Sequence, residues 1–262
     1  MQSSPWRRAL LINIVLWMLL APLAVTSWQH AHFQAPPVWP LPDDPVAARK
    51  ARLINNLLPH IHAANRALIA DRQRLQKLQQ QLADGKSLRR NDRQWLARQR
   101  ELYRINEERA EDGAIAELLR RVDIIPSDLA LAQAALESAW GQSRFSRQGN
   151  NYFGQWCFTD GCGLVPRQRP DGARHEVAVF ATPASSVRAY MRNLNSHPRY
   201  AMLRRLRAQQ RQQGKEPSGY QMAAGLEGYS AIGQQYVRTV RGLIRSNDLS
   251  RFTLPAQGSA YH

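Results

Sequence analysis

Cysteine is almost missing from this chain: 262 residues contain two, Cys157 and Cys162. Two thiolates do not make a four-ligand zinc site, and none of the seven histidines stands at a spacing that would complete one. No metal and no cofactor are expected. Acidic residues are scarce as well, 20 against 36 Lys and Arg, which leaves a net charge of +16. So positive a surface favours a polyanionic partner: nucleic acid, anionic lipid or the anionic bacterial wall. Zinc-finger, homeodomain and RNA-binding aromatic patterns are all absent, so nucleic acid is set aside as a partner.

A signal-peptidase site of the A-x-A kind is also missing after the apolar run 9–25, where Val25, Thr26 and Ser27 match it poorly. The run follows Arg7 and Arg8. It falls between a signal-peptide core of ~7–15 residues and a spanning helix of ~20. The reading favoured here is an uncleaved inner-membrane anchor with the Arg side cytoplasmic. Cleavage is the alternative. In an exported protein the pair Cys157 and Cys162, in CFTDGC, reads as a short-loop disulfide. Two reduced buried thiols would fit a cytosolic protein instead.

The stretch 129–156, LALAQAALESAWGQSRFSRQGNNYFGQW, organises the rest. Ser127 or Asp128, after Pro126, is a candidate N-cap. Nearly every residue from 129 to 139 is small or apolar, so this helix is expected to be surrounded by protein. Glu137 sits in that run. Burying an ionised carboxylate without a partner is costly. Burial raises its pKa, and so does a nearby helix C-terminus, which Gly141 marks. A carboxylic acid kept protonated near neutral pH can act as a general acid. The plainer alternative is a buried Glu paired with an Arg. Trp140, three residues on, is expected on the same helix face. Asn150, Asn151, Tyr152, Phe153, Gly154 and Trp156 follow. Flat rings suit sugar faces and amides suit hydroxyl and N-acetyl groups, so a carbohydrate cleft is the expectation. Core filling is the alternative for the aromatics.

AALESAWGQS followed by NNYFG resembles the signature of the bacterial glucosaminidase family, glycoside hydrolase family 73, whose members cleave peptidoglycan. The likeness covers residues 115–254. With its basic N-terminal extension and the WCFTDGCGLVP segment, the whole chain is similar to one subgroup of that family. The resemblance implies a lysozyme-like fold with Glu137 as general acid in a cleft between lobes. Further on, LEGYSA and then Tyr236 resemble the family's tyrosine motif, with Ser230 and Ala231 in place of Ala-Thr. This implies that Tyr229 lines the cleft opposite the acid, supporting a positive centre or an N-acetyl group. Tyr236 either contacts substrate or packs its helix. The family often has a Glu on the first strand of a β-hairpin. Here that strand, 164–169, has no acid. Glu176 on the second strand is the nearest substitute, with Asp160 and Asp171 as others. Substrate assistance by the N-acetyl group, a known exception to the two-carboxylate scheme, fits that gap.

Taken in order, residues 1–28 are the anchor or signal peptide and 29–45 a Pro-rich extended linker. Residues 46–112 form a strongly basic helical hairpin. Leu57, Ile61, Ala64, Leu68, Leu75, Leu78 and Leu82 follow a seven-residue repeat interrupted at Asp71. Pro59 marks a kink or boundary, Asp84-Gly85 a turn, and Leu88, Trp95 and Leu102 a second arm. This hairpin packs on the catalytic domain, binds a partner or is a solvated spacer. Residues 113–254 are the catalytic domain, and 255–262 a tail. Within the domain, helices are expected at 114–122, from 127, at 185–195 with Ser185 or Ser186 as cap, and at 200–213, 220–228 and 234–245. A β-hairpin turns at Pro170-Asp171-Gly172, its strand 176–182 the clearest. The fold class is mostly α with a small β-hairpin lobe.

The functional expectation is a periplasmic, membrane-tethered glycosidase that cuts peptidoglycan strands after N-acetylglucosamine, held to the wall by its charge. A lytic transglycosylase, which also uses a single Glu, is one alternative. A non-enzymatic wall-binding protein working through the hairpin is the other.

Overall fold

A 39-residue helix, α1 (Pro45–Ala83), opens the described part of this computed structural model. The structure describes residues 40–253 except Glu107, Gln168, Pro170 and Asp171. The apolar run 9–25, most of the linker, the expected turn at Pro170 and Asp171, and the tail lie outside the described residues. Among the described residues, no helix is long and apolar enough to cross a membrane.

Asp44 starts α1, its Oδ2 accepting from the Ala47 N–H at 2.6 Å, and Pro45 takes the first position, where no donor is needed. Pro59 does not end the helix. An interior proline costs roughly 3 kcal/mol. Leu57, Leu58 and Ile61 beside it are buried, and burial of each contributes roughly 1.5–3 kcal/mol, so packing outweighs the break. The chain turns at Asp84 and returns as α2 (Arg90–Leu102). Arg74 joins the arms, its guanidinium 4.3 Å above the Trp95 ring and 2.8 Å from Asp92.

Of the three readings of this hairpin, packing on the rest of the chain is the one observed. The Asn65 amide donates to the Ile125 carbonyl at 2.8 Å and accepts from the Ile125 N–H at 3.1 Å. Asn56 Nδ2 donates to the Tyr152 hydroxyl at 2.8 Å. A continuous apolar core runs from Leu53 through the middle of the chain to Phe252.

After α3 (Glu111–Arg121), α4 (Ser127–Glu137) lies in that core, with every residue from Ser127 to Ala135 buried. Pro126, not Ser127 or Asp128, occupies its N-cap position; those two fall in the first turn and are themselves buried. The short α5 (Arg144–Gly149), which Ser143 caps, has too few turns to leave a periodic pattern in the chain.

The β-lobe has three short antiparallel strands, β1 (Trp156–Cys157), β2 (Gly163–Leu164) and β3 (Glu176–Ala178), in the order β1-β3-β2. β2 and β3 are shorter than the expected strands 164–169 and 176–182, and β1 was not expected. Pro166 lacks a donor and stops β2 before the expected strand 164–169 develops. Cys157 and Cys162 form the disulfide that was expected, closing β1 onto the entry to β2.

Next comes α6 (Pro183–Ser196). Thr182 caps it in a reciprocal box with Ser185, so it starts earlier than a Ser185 cap would allow. A 3-10 turn (Pro198–Tyr200) leads into α7 (Ala201–Gln212). The expected helix 220–228 is split into α8 (Gly219–Met222) and a 3-10 segment (Ala223–Tyr229). Gly225 lies there because a Cβ would meet the Leu203 backbone at 2.3 Å. The last elements are α9 (Gln234–Ser246) and a 3-10 turn (Leu249–Phe252). The whole is mostly α with a small β lobe, the layout expected of a lysozyme-like domain.

Candidate active site

Glu137 is the last residue of α4. Ala139, Trp140 and Gly141 then all adopt left-handed backbone, with φ of 49°, 57° and 79°. For a non-glycine residue this is unfavourable by roughly 1–2 kcal/mol, so tertiary contacts enforce the sharp stop. Ser138 Oγ helps, donating to the Ala134 carbonyl at 2.6 Å and accepting from the Gly141 N–H at 2.8 Å. The helix therefore ends before Trp140, which does not share a face with Glu137 as expected. Its ring instead lies under Lys50 Nζ, 5.3 Å from the centroid, and lines a separate cavity of about 340 Å³ with Pro42 and Ile54 of the N-terminal arm.

Glu137 is half-buried. Burial pushes its carboxyl above the ordinary carboxylate range, and a hydrogen bond from Tyr236 offsets part of that rise. Tyr236 Oη donates to Glu137 Oε1 at 2.8 Å. The phenol is itself held by a relay. Tyr190 Oη donates to Gln133 Oε1 at 2.7 Å, and Gln133 Nε2 donates to Tyr236 Oη at 3.0 Å. Because the phenol oxygen already receives an N–H, its own proton is left for the carboxylate. Gln133 and Tyr190 escaped the sequence reading. A lone amide one turn before Glu137, in an otherwise apolar helix, was the available signal.

Tyr236→Phe removes the donor that favours the ionised acid. The carboxyl of Glu137 then rises further, and the alkaline limb of the pH–rate profile moves to higher pH. Stability falls by about 1 kcal/mol, since Gln133 loses its acceptor. A pH–rate series and a melting curve check both.

Tyr229 stacks on Tyr236 with ring centroids 5.3 Å apart, and its hydroxyl donates to the Phe153 carbonyl at 2.7 Å. One tyrosine of the C-terminal motif thus holds the acid, while the other holds the NNYFG loop. Gly154 of that loop lies against the carboxylate: a Cβ there would come 3.0 Å from Glu137 Oε2, and its φ is +63°. Gly154→Ala therefore meets both strain and the acid. It is expected to lower stability by about 1–2 kcal/mol and turnover by at least about tenfold; melting and initial-rate measurements test this.

Four other residues of the loop have duties inside the protein rather than the substrate contact expected of them. Asn150 ends α5 in left-handed backbone and donates to the Phe180 carbonyl at 2.9 Å. Asn151 donates to the Gln155 and Ala178 carbonyls, both at 2.8 Å. Phe153 is buried flat on Tyr190, centroids 3.9 Å apart. Tyr152 is buried and receives Asn56. Trp156, by contrast, is 59% exposed and stacks on His175 at 4.1 Å.

Glu176 is buried in the β-lobe. Its two oxygens accept from the Gly161 N–H at 3.1 Å and the Gly163 N–H at 2.7 Å, which fastens the disulfide loop to β3. Asp160 is exposed, and Asp171 lies outside the described residues. Among the described residues, the Cys157 and Cys162 sulfurs and Glu176 lie within 4.8 Å of one another. With the sulfurs bonded together and the carboxylate on backbone amides, this cluster is a brace for the lobe.

Residues 113–249 match the glucosaminidase family, described as mannosyl-glycoprotein endo-beta-N-acetylglucosaminidase. The chain is also 32% identical over 199 residues to Protein bax of Escherichia coli (strain K12), an alignment covering 76% of this chain and 70% of that protein. No solved structure matches it. The family match takes in the acid, the loop laid against it and both tyrosines: this chain belongs to the glucosaminidase family of glycosidases, as a Bax-type member.

Proposed function

We propose that this glycosidase hydrolyses peptidoglycan strands at the β-1,4 bond after N-acetylglucosamine, with Glu137 as general acid. The observation that supports this most is Glu137 itself. It is a carboxyl raised by burial, aimed by Tyr236 and faced by the Gly154 backbone. Glu137 protonates the glycosidic oxygen as the bond breaks and an oxocarbenium-like centre develops. Tyr229 retains oxygen lone pairs after donating to Phe153 and supports that centre or the N-acetyl group. The neighbouring N-acetyl oxygen then closes on the sugar carbon. Water opens that intermediate, giving its proton to the Glu137 carboxylate. Among the described residues, Glu176 is a poor second carboxylate, because both its oxygens serve backbone amides.

The enzyme works outside the cytoplasm in this reading, where its disulfide persists, and residues 9–25 tether it to the inner membrane. Its net charge of +16 holds it to the anionic wall.

Incubating the full-length protein with purified peptidoglycan and analysing the products by mass spectrometry tests the proposal. Reducing-end N-acetylglucosamine is expected. Anhydro-muramyl ends would make it a lytic transglycosylase, and wall binding without release would leave a binding role. Glu176→Gln probes the second carboxylate. It should lower stability by about 1–2 kcal/mol, its amide facing a backbone N–H. It should spare turnover, which would fall by about 10²–10⁴-fold if Glu176 were catalytic.

A further inference from the structure

The end of α2, the entry to β1 and the outer side of α6 enclose a cleft of about 390 Å³. That is within the range of ligand sites. Arg104, Arg192, Asn193, Gln155 and Trp156 line it, and no acidic side chain among the described residues does. Among the described residues, neither the Arg104 nor the Arg192 guanidinium has a hydrogen-bond or ion-pair partner. Some other arginines of this chain are matched, such as Arg74 with Asp92, Arg93 with Glu111 and Arg211 with Asp123.

Arg104 is also out of place by local rules. Its N–H donates to the Glu101 carbonyl at 3.1 Å and the Ile105 N–H to the Arg100 carbonyl at 2.8 Å, which closes α2 with Arg104 at a φ of 57°. Glycine is the favoured residue there. An arginine persists at a strained position while the described fold makes no use of its charged end, and such departures concentrate at functional sites. The cleft is held in shape. Arg121, paired with Glu117 at 2.7 Å, donates through Nη1 to the Tyr103 carbonyl at 2.6 Å and the Ser196 carbonyl at 3.1 Å. This pins the end of α2 to the end of α6.

Gln155 and Trp156, which line the cleft, follow directly on Gly154, where a Cβ would come 3.0 Å from Glu137 Oε2. The glycan backbone of peptidoglycan is uncharged, but alternate sugars bear a lactyl-linked peptide with free carboxylates. Guanidinium groups bind carboxylates in matched pairs of hydrogen bonds. We propose that this cleft receives the carboxylates of the substrate's stem peptide, so that the enzyme selects peptide-bearing strands. The proposal rests on the peptidoglycan reading of the catalytic site.

The test measures peptide binding apart from catalysis. Free stem tetrapeptide, which has no glycosidic bond, is titrated calorimetrically into the full-length protein. The wild type is expected to bind it, and R104Q/R192Q to bind at least about tenfold more weakly. The wild-type preference for peptide-bearing glycan over glycan stripped to its lactyl groups should fall by a similar factor. Arg104→Gly separates this from a structural effect: it relieves the left-handed strain, so it should melt no lower than wild type yet bind the peptide less well. No peptide binding, binding unchanged in the variants, or a loss that follows melting temperature would overturn the proposal. So would an equal loss on stripped glycan, which would assign the cleft to the lactyl carboxylate. Peptide binding with no glycan turnover would refute the glycosidase reading and leave the cleft assigned. Turnover with unchanged peptide preference would do the reverse.

Discussion

Glu137→Gln is expected to lower glycan turnover by at least about 10³-fold and, at neutral pH, to raise the melting temperature. Both effects have one cause. Burial lifts the folded-state pKa of Glu137 above its unfolded value. The fold therefore favours the protonated form. That stabilisation is fully present below the unfolded pKa and is lost as pH rises through the folded one. Glutamine mimics the protonated acid in shape and can still accept from Tyr236, but it never ionises. The variant should gain on wild type as pH rises and match it in acid. For the rate the sign is the same: an acid that must hold its proton gives a profile that declines on the alkaline side at the raised pKa. Calorimetric melts across pH and product release by mass spectrometry read the two effects. Full activity in the variant would remove Glu137 from the chemistry.

Arg207→Ala is expected to be the most destabilising single change, by about 3–5 kcal/mol, as when one partner of a buried ionic network is removed. Arg207 is 1% exposed. Its guanidinium donates to the carbonyls of Arg120, Arg121, Asp123 and Ile124 and to Asn195 Oδ1, at 2.6 to 3.1 Å. Two of those carbonyls are the last of α3 and two lie in the strip that joins it to α4, so one side chain orders the approach to the helix that bears Glu137. Burial lowers the guanidinium pKa to about 10, which leaves it charged at neutral pH. Burial alone would raise the Asp123 carboxyl beside it, but Arg207, Arg211 and Arg72 together hold it below the ordinary range. The alanine variant strands buried carbonyls without donors. At roughly 2–4 °C per kcal/mol for a chain of this size, its melting temperature should fall by about 10 °C. Arg207→Lys keeps the charge but lacks the planar fork, and should fall between the two. Thermal unfolding of the three proteins decides it.

Periodicity made the helices legible. The leucine stripe of α1 and the apolar face of α6 were visible because burial on one side leaves a spacing in the chain. The end of α4 was not, because the left-handed residues Ala139 and Trp140 stop it before the Gly141 that marks a terminus in the sequence. The acid could be found from its apolar setting. Its support could not: Gln133 and Tyr236 are 103 residues apart, and no local pattern joins them. The amides of Asn150 and Asn151 show a different limit. Composition gives an amide's hydrogen-bonding capacity but not whether a sugar or a carbonyl will use it. Arg207 is one of several arginines in α7, and its carbonyl partners are invisible to any reading by side-chain type.

The two ends of the described chain meet. Lys50 Nζ donates to Asn247 Oδ1 at 2.7 Å, and His62 Nε2 lies 3.0 Å from the Phe252 carbonyl, contacts that bridge 197 and 190 residues. Closing loops of that length is entropically unfavourable and slows folding. During synthesis α1 is made well before its partners near residue 250, so these contacts close only after the long intervening stretch of chain has been made.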